Sequence, residues 1–93
     1  MNPMDSDDLT LAHKHSFKNR SEVLASEVSG CFCCLNIYPP SRVSEWVNER
    51  DGEQTALCPM CGIDSVIGSA SGYPVTAEWL DRMEKRWFAL KSD

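Results

Sequence analysis

Two short segments carry the chemistry of this chain: Cys31-Phe32-Cys33-Cys34 and Cys58-Pro59-Met60-Cys61. Each contains a CxxC pair, and two residues between ligands let one tight turn aim both sulfurs at the same ion. Two such turns complete a tetrahedron at Zn–S distances of about 2.3 Å, so Cys31, Cys34, Cys58 and Cys61 are the expected ligands of one Zn2+ ion. Four thiolates leave no position for water, and a closed site of this kind is structural rather than catalytic. Iron is the competing metal, but the spacing is not that of an iron–sulfur cluster.

The second pair is the stronger half. Pro59 fixes φ where no amide donor is needed, and Gly62 can adopt positive φ, which curls the chain back and aims backbone N–H groups at sulfur. Such N–H···S bonds spread the negative charge of a four-thiolate site. The first pair lacks both Pro and Gly and offers Cys33 as well as Cys34; matching spacing selects Cys34 and leaves Cys33 as a spare thiol. A thioredoxin-like dithiol would place its first cysteine at the start of a helix. Ile63-Asp64-Ser65-Val66-Ile67 is instead strand-like, which sets a thiol-redox enzyme working through Cys33 and its neighbours behind a metal site.

The 93 residues suit one domain, and a chain this short gains from a metal or disulfide tie. Five cysteines in a chain without a secretory signal pattern favour metal ligation in a reducing cytoplasm over disulfides. The acidic opening Met-Asn-Pro-Met-Asp-Ser-Asp-Asp is unlike a signal peptide, and no apolar run approaches the roughly 18 to 20 residues of a membrane span. A cytoplasmic protein with no membrane association is therefore expected. The formal net charge is −5, and four thiolates around a divalent ion add about two more negative charges. That balance disfavours nucleic acid unless one face is locally basic.

The metal-binding turns need elements to hold them. Residues 1–8 are expected to be disordered and 9–93 to form a single zinc-ribbon domain of the α+β class, a small β core with flanking helices and a C-terminal amphipathic helix. Leu9 to Glu27 favours helix, either one helix or a loop plus a short helix, with Asn19 or Ser21 as the cap of a fresh helix and Glu22 in capping-box spacing from Asn19. Leu35 to Tyr38 alternates like a strand. Pro39-Pro40-Ser41 can open a helix that places Val43, Trp46 and Val47 on one face. Asn48 to Glu53 reads as a turn, Gln54 to Leu57 and Ile63 to Ile67 as strands, and Gly68 to Tyr73 as a loop. The last helix is the clearest: Thr76 caps it, Glu78 suits its N-terminus, Arg82, Lys85, Arg86 and Lys91 suit its other end, and Trp79, Leu80, Met83, Trp87 and Leu90 share one stripe.

Gly30-Cys31-Phe32-Cys33-Cys34-Leu35, Pro39-Pro40, Trp46 and the run Thr55 to Gly68 together look like a family of small, uncharacterised bacterial cytoplasmic proteins, and more loosely like zinc ribbons with a CPxCG knuckle. The resemblance spans about His13 to Phe88 and is most specific from Cys58 to Gly68. It implies zinc and a cytoplasmic location, and no activity.

Outside the cysteines, His13, Lys14, His15, Lys18 and Arg20 form a mildly basic segment that could face an acidic partner or phosphate. Phe88 falls opposite the apolar stripe of the last helix, where it is either covered by the N-terminal segment or open to a partner. Asp64 and Ser65 are expected to brace the second knuckle through backbone hydrogen bonds. No catalytic triad, phosphate loop or carboxylate pair can be assembled from spacing. A non-enzymatic zinc-binding module that contacts another protein is the leading expectation. A nucleic-acid-binding ribbon, then a thiol-redox enzyme, are the alternatives.

Overall fold

A computed structural model describes residues 5–88 of the chain. Helix α1 covers Ser6–Ala12 and runs into a 3-10 turn at His13–Ser16. The chain therefore becomes helical before Leu9, inside the acidic segment: Asp7 and Asp8 sit in the first turn, where negative charge complements the helix dipole, and Leu9 and Ala12 are buried. Residues 1–4 lie outside the described residues, as do Leu90 and Lys91 of the last helix pattern.

Of the two arrangements open to Leu9 to Glu27, one continuous helix is excluded by Lys18, whose φ of 51° no α-helix accommodates. A short helix α2, Arg20–Leu24, follows. Asn19 precedes it without capping it. Its buried amide donates to the carbonyls of His15 and Val66, both at 2.9 Å, and accepts from the Ala56 amide at 3.0 Å. One side chain thus ties the N-terminal turn to two separate sheets. Glu22, the other half of the expected capping box, binds His15 Nδ1 at 2.9 Å instead.

Strand β1, Ser29–Cys31, is the centre of a three-stranded antiparallel sheet, flanked by β2, Ile37–Tyr38, and later by a strand at Val66–Gly68. Between them, β3, Trp46–Asn48, pairs antiparallel with β4, Gln54–Ala56, so that the strand at Val66–Gly68 is β5. The helix expected to hold Val43, Trp46 and Val47 is absent. Pro40–Arg42 makes only a 3-10 turn, and the chain then extends. A hairpin partner supplies hydrogen bonds that a helix of this length could not. Gly52, at φ +87°, lets the intervening turn close, with Glu49 and Glu53 bonded across it at 2.8 Å. Trp46 is then covered by the Arg20 guanidinium, 4.7 Å above its ring.

Alternation along β1 and β5 splits the interior in two, one half on each face of the sheet. Ile67 joins Leu9, Ala12, Phe32, Val75, Trp79, Leu80 and Met83, whereas Cys31 and Val66 join Val23, Tyr38, Val43, Ala56 and Cys58. Helix α3, Ala77–Trp87, covers the first face with its Trp79, Leu80 and Met83 fully buried, and Thr76 Oγ1 caps it by accepting from the Trp79 amide at 3.2 Å. Gly30 permits that packing, because a Cβ there would stand 2.9 Å from Leu80 Cδ1. Helix α1 lies against α3, with Trp87 Nε1 donating to the Leu9 carbonyl at 3.3 Å.

Candidate metal centre

The two cysteine turns are built alike. In the first, the Leu35 amide donates to the Cys31 carbonyl at 2.8 Å, the Cys31 amide to the Asn36 carbonyl at 3.0 Å, and the Cys33 amide to Cys31 Sγ at 3.3 Å. In the second, Gly62 donates to the Cys58 carbonyl at 2.9 Å, Cys58 to the Ile63 carbonyl at 2.9 Å, and the Met60 amide to Cys58 Sγ at 3.3 Å. Gly62 takes the expected left-handed conformation at φ +82°, and Leu35 takes the corresponding one at φ +67°. The first turn therefore forms the same knuckle without glycine. A branched residue there costs about 1–2 kcal/mol in backbone strain, and the Leu35 side chain recovers part of it by packing against the core under α3.

Sequence-distant strands bring the knuckles together. The pairing of Cys31 with Val66 across β1 and β5 sets the first knuckle beside the chain leaving the second. The sulfurs of Cys31, Cys34, Cys58 and Cys61 all lie within 4.8 Å of one another, a cluster compatible with a zinc site. Cys31 Sγ is 3.6 Å from Cys61 Sγ and Cys34 Sγ is 3.7 Å from Cys58 Sγ. The edge of a tetrahedron with Zn–S bonds of about 2.3 Å is about 3.8 Å. Each close contact joins one knuckle to the other, as one shared ion requires. Cys33 stays outside the cluster, half-buried, with its backbone amide bound to Cys31.

Donors surround the sulfurs. Ser65 Oγ lies 3.0 Å from Cys31 Sγ, and Asn36 Nδ2 donates to Cys34 Sγ at 3.2 Å. Ser65 departs from the expectation: its buried hydroxyl meets a sulfur instead of the backbone, and donating there would favour the thiolate that a metal requires. Tyr38 Oη is buried with no hydrogen-bond partner among the described residues, and the Cys58 sulfur is the group nearest to it in electrostatic effect. An orphaned hydroxyl beside a sulfur suits a thiolate held in place by a cation. Asn36 and Tyr38 go unnoticed in the sequence, and Ser65 is noticed there with the wrong acceptor, because no spacing rule ties these residue types to a sulfur.

The electrostatics of the bare sulfurs explain why a cation is wanted. Burial pushes the Cys31 thiol up to about 11. Partial burial, then the neighbouring sulfurs, hold Cys61 above the ordinary thiol range. Burial would raise Cys58 as well, but the polar influence of the Tyr38 hydroxyl and of the Cys61 and Met60 amides outweighs it and lowers that thiol to about 7. Cys58 thus ionises before Cys31 and Cys61, and a divalent ion arriving there would offset the burial that keeps those two protonated.

The other candidate residues do not converge on one basic surface. Lys18 Nζ pairs with Asp51 at 2.7 Å, Arg20 binds Gln54 at 2.8 Å beneath its contact with Trp46, and His15 pairs with Glu22. His13 leans on Trp87, ring centroids 4.1 Å apart. Lys14 has no such partner among the described residues. Phe88 is the first residue past α3, so it leaves the helix instead of occupying its far side, and its ring sits 5.8 Å from Phe32. No helix among the described residues is long and apolar enough to cross a membrane. Comparison of the chain with protein-family models, with curated proteins and with solved structures finds no match.

Proposed function

We propose that this protein is a non-enzymatic zinc-binding module whose one Zn2+ ion is structural, and that it works by contacting another protein. The observation that carries the reading is the mutual approach of four sulfurs within 4.8 Å. Thiolates are soft ligands and a tetrahedral S4 set favours zinc. All four positions are taken by protein, so the ion polarises no substrate and activates no water. Its role is to join the knuckle that follows β1 to the one that precedes β5. The resemblance to small bacterial proteins with a CPxCG knuckle supports the same assignment, and unbridged cysteines at all five positions suit a reducing cytoplasm.

Support for a protein partner lies on the surface. Met60 and Ile63 project from the second knuckle, with Met60 57% exposed, and exposed methionine on a rigid turn adapts well to another protein's side chains. Nucleic acid has less in its favour, because most cations of the N-terminal segment are already engaged and the net charge is −5. Two measurements test the proposal together. Metal analysis of protein purified under reducing conditions should give one zinc per chain. A photo-crosslinker at Met60 should capture a discrete protein, whereas one at exposed Arg50 should not. Salt-sensitive binding of single- or double-stranded nucleic acid, with no crosslinked protein, would overturn the reading in favour of a nucleic-acid ribbon.

A further inference from the structure

A cleft of about 480 Å³ opens between the His13–Ser16 turn and the exits of the two knuckles. Its size is that of a small-molecule pocket. Phe17 and Phe88 form apolar sides, and Phe32, fixed inside the first knuckle and 1% exposed, backs them from beneath. Phe17 is 52% exposed, with Lys18 Nζ over its ring at 5.1 Å from the centroid.

The charges around this hollow are unspent. The Lys14 ammonium, from the N-terminal turn, has no ion pair or hydrogen bond among the described residues, and neither ring nitrogen of neighbouring His13 has a hydrogen bond there. Asp64, on the wall that follows Gly62, is likewise without a partner. Lys18, Lys85 and His15 are all paired. Lys14 and Asp64 line the same cleft without meeting each other, so a molecule lying between them could satisfy both.

We propose that the cleft binds a zwitterionic aromatic amino acid. The ring lies between Phe17 and Phe88, the carboxylate is taken by Lys14 with His13 donating beside it, and the ammonium faces Asp64. Aromatic rings prefer offset or edge contacts at centroid distances of about 4.5–7 Å, and the ring spacings of 5.8 Å and 5.9 Å around Phe32 show that the cleft's own rings already pack this way. A cation and an anion lining one cleft reject a simple aromatic acid or amine, since each would leave one of them unsatisfied beside a like charge.

The test is calorimetric titration of the full chain, with metal content measured in parallel, using L-phenylalanine and L-tryptophan as probes. 3-Phenylpropionate, lacking the ammonium, and phenethylamine, lacking the carboxylate, are the controls. Saturable binding of an amino acid at least tenfold tighter than both controls is expected. Lys14→Ala and Asp64→Asn should each weaken it about tenfold or more, and Asp64→Asn should let 3-phenylpropionate approach phenylalanine. Both residues are exposed, so the variants should keep the parent circular dichroism. Absence of saturable binding, or affinity indifferent to Lys14 and Asp64, overturns the proposal. A metal-loaded chain that binds no amino acid defeats the cleft alone. A metal-free chain that still binds one defeats the metal assignment and leaves the cleft.

Discussion

Replacing Ser65 by alanine probes the centre without touching a ligand. The hydroxyl stands 3.0 Å from Cys31 Sγ at a residue only 2% exposed, so solvent has little means of supplying a substitute donor. A hydrogen bond to a charged acceptor contributes about 1.5–3 kcal/mol, which corresponds to a loss of about 10- to 100-fold in metal affinity, the range common for groups that support a ligand. Asn36 provides the internal comparison: it also donates to a sulfur, Cys34 at 3.2 Å, but from an exposed position where water can replace it. Asn36→Ala should therefore cost less than about threefold. The assay is competition with a chromophoric chelator at fixed pH, repeated along an acid titration. Removing the Ser65 donor raises the Cys31 thiol above its already elevated position, so protons displace the metal sooner, and the pH of half-release should move upward in Ser65→Ala. Affinity within twofold of the parent, or a larger loss from Asn36→Ala than from Ser65→Ala, would refute the reasoning.

Gly68→Ala should lower stability by about 1–3 kcal/mol, read as a shifted denaturation midpoint, because the new Cβ would overlap Ser26 Oγ and stand 3.2 Å from Val23 Cα; unchanged stability would contradict the packing of α2 on β5. Asn19→Ala should cost about 3 kcal/mol, since it strips partners from two carbonyls and one amide, and a loss below about 1 kcal/mol would deny its tie between the sheets. The Lys18 hydrogen bond holds the Asp51 carboxyl below its usual range. The pair's contribution is thus present above the ordinary aspartate pKa of about 3.9 and fades as pH falls through the lowered value. Both partners are exposed, so Asp51→Asn should only slightly flatten the acid side of the stability profile, and about 1 M salt should erase the difference. Cys33→Ser should retain one bound metal and near-parent stability, and loss of the metal would make Cys33 a ligand.

The parts legible from sequence are those where one local rule acts alone. CxxC spacing names all four sulfurs that cluster, and the Trp79, Leu80 and Met83 spacing with Thr76 ahead of it marks α3. Trp46 and Val47 mislead because their spacing from Val43 matches a helix, while a three-residue strand is too short to display its own period. Leu35 hides the first knuckle's left-handed turn, since nothing in a leucine announces positive φ. Lys18, His15 and Arg20 look like a basic patch only while Asp51, Glu22 and Gln54 are out of view; tertiary pairing absorbs them. Asn19, Tyr38 and Ser65 owe their roles to strands that meet across the fold, beyond the reach of any sequence window.

Native mass spectrometry of the reduced full chain, before and after incubation with a strong chelator, tests the central claim most directly. One zinc per chain in a narrow, folded charge distribution is predicted, with chelation removing the ion and unfolding the domain, because binding energies of about 10–16 kcal/mol act as folding energy in small metal domains. A metal-free chain that shows the same folded distribution before and after chelation would contradict it.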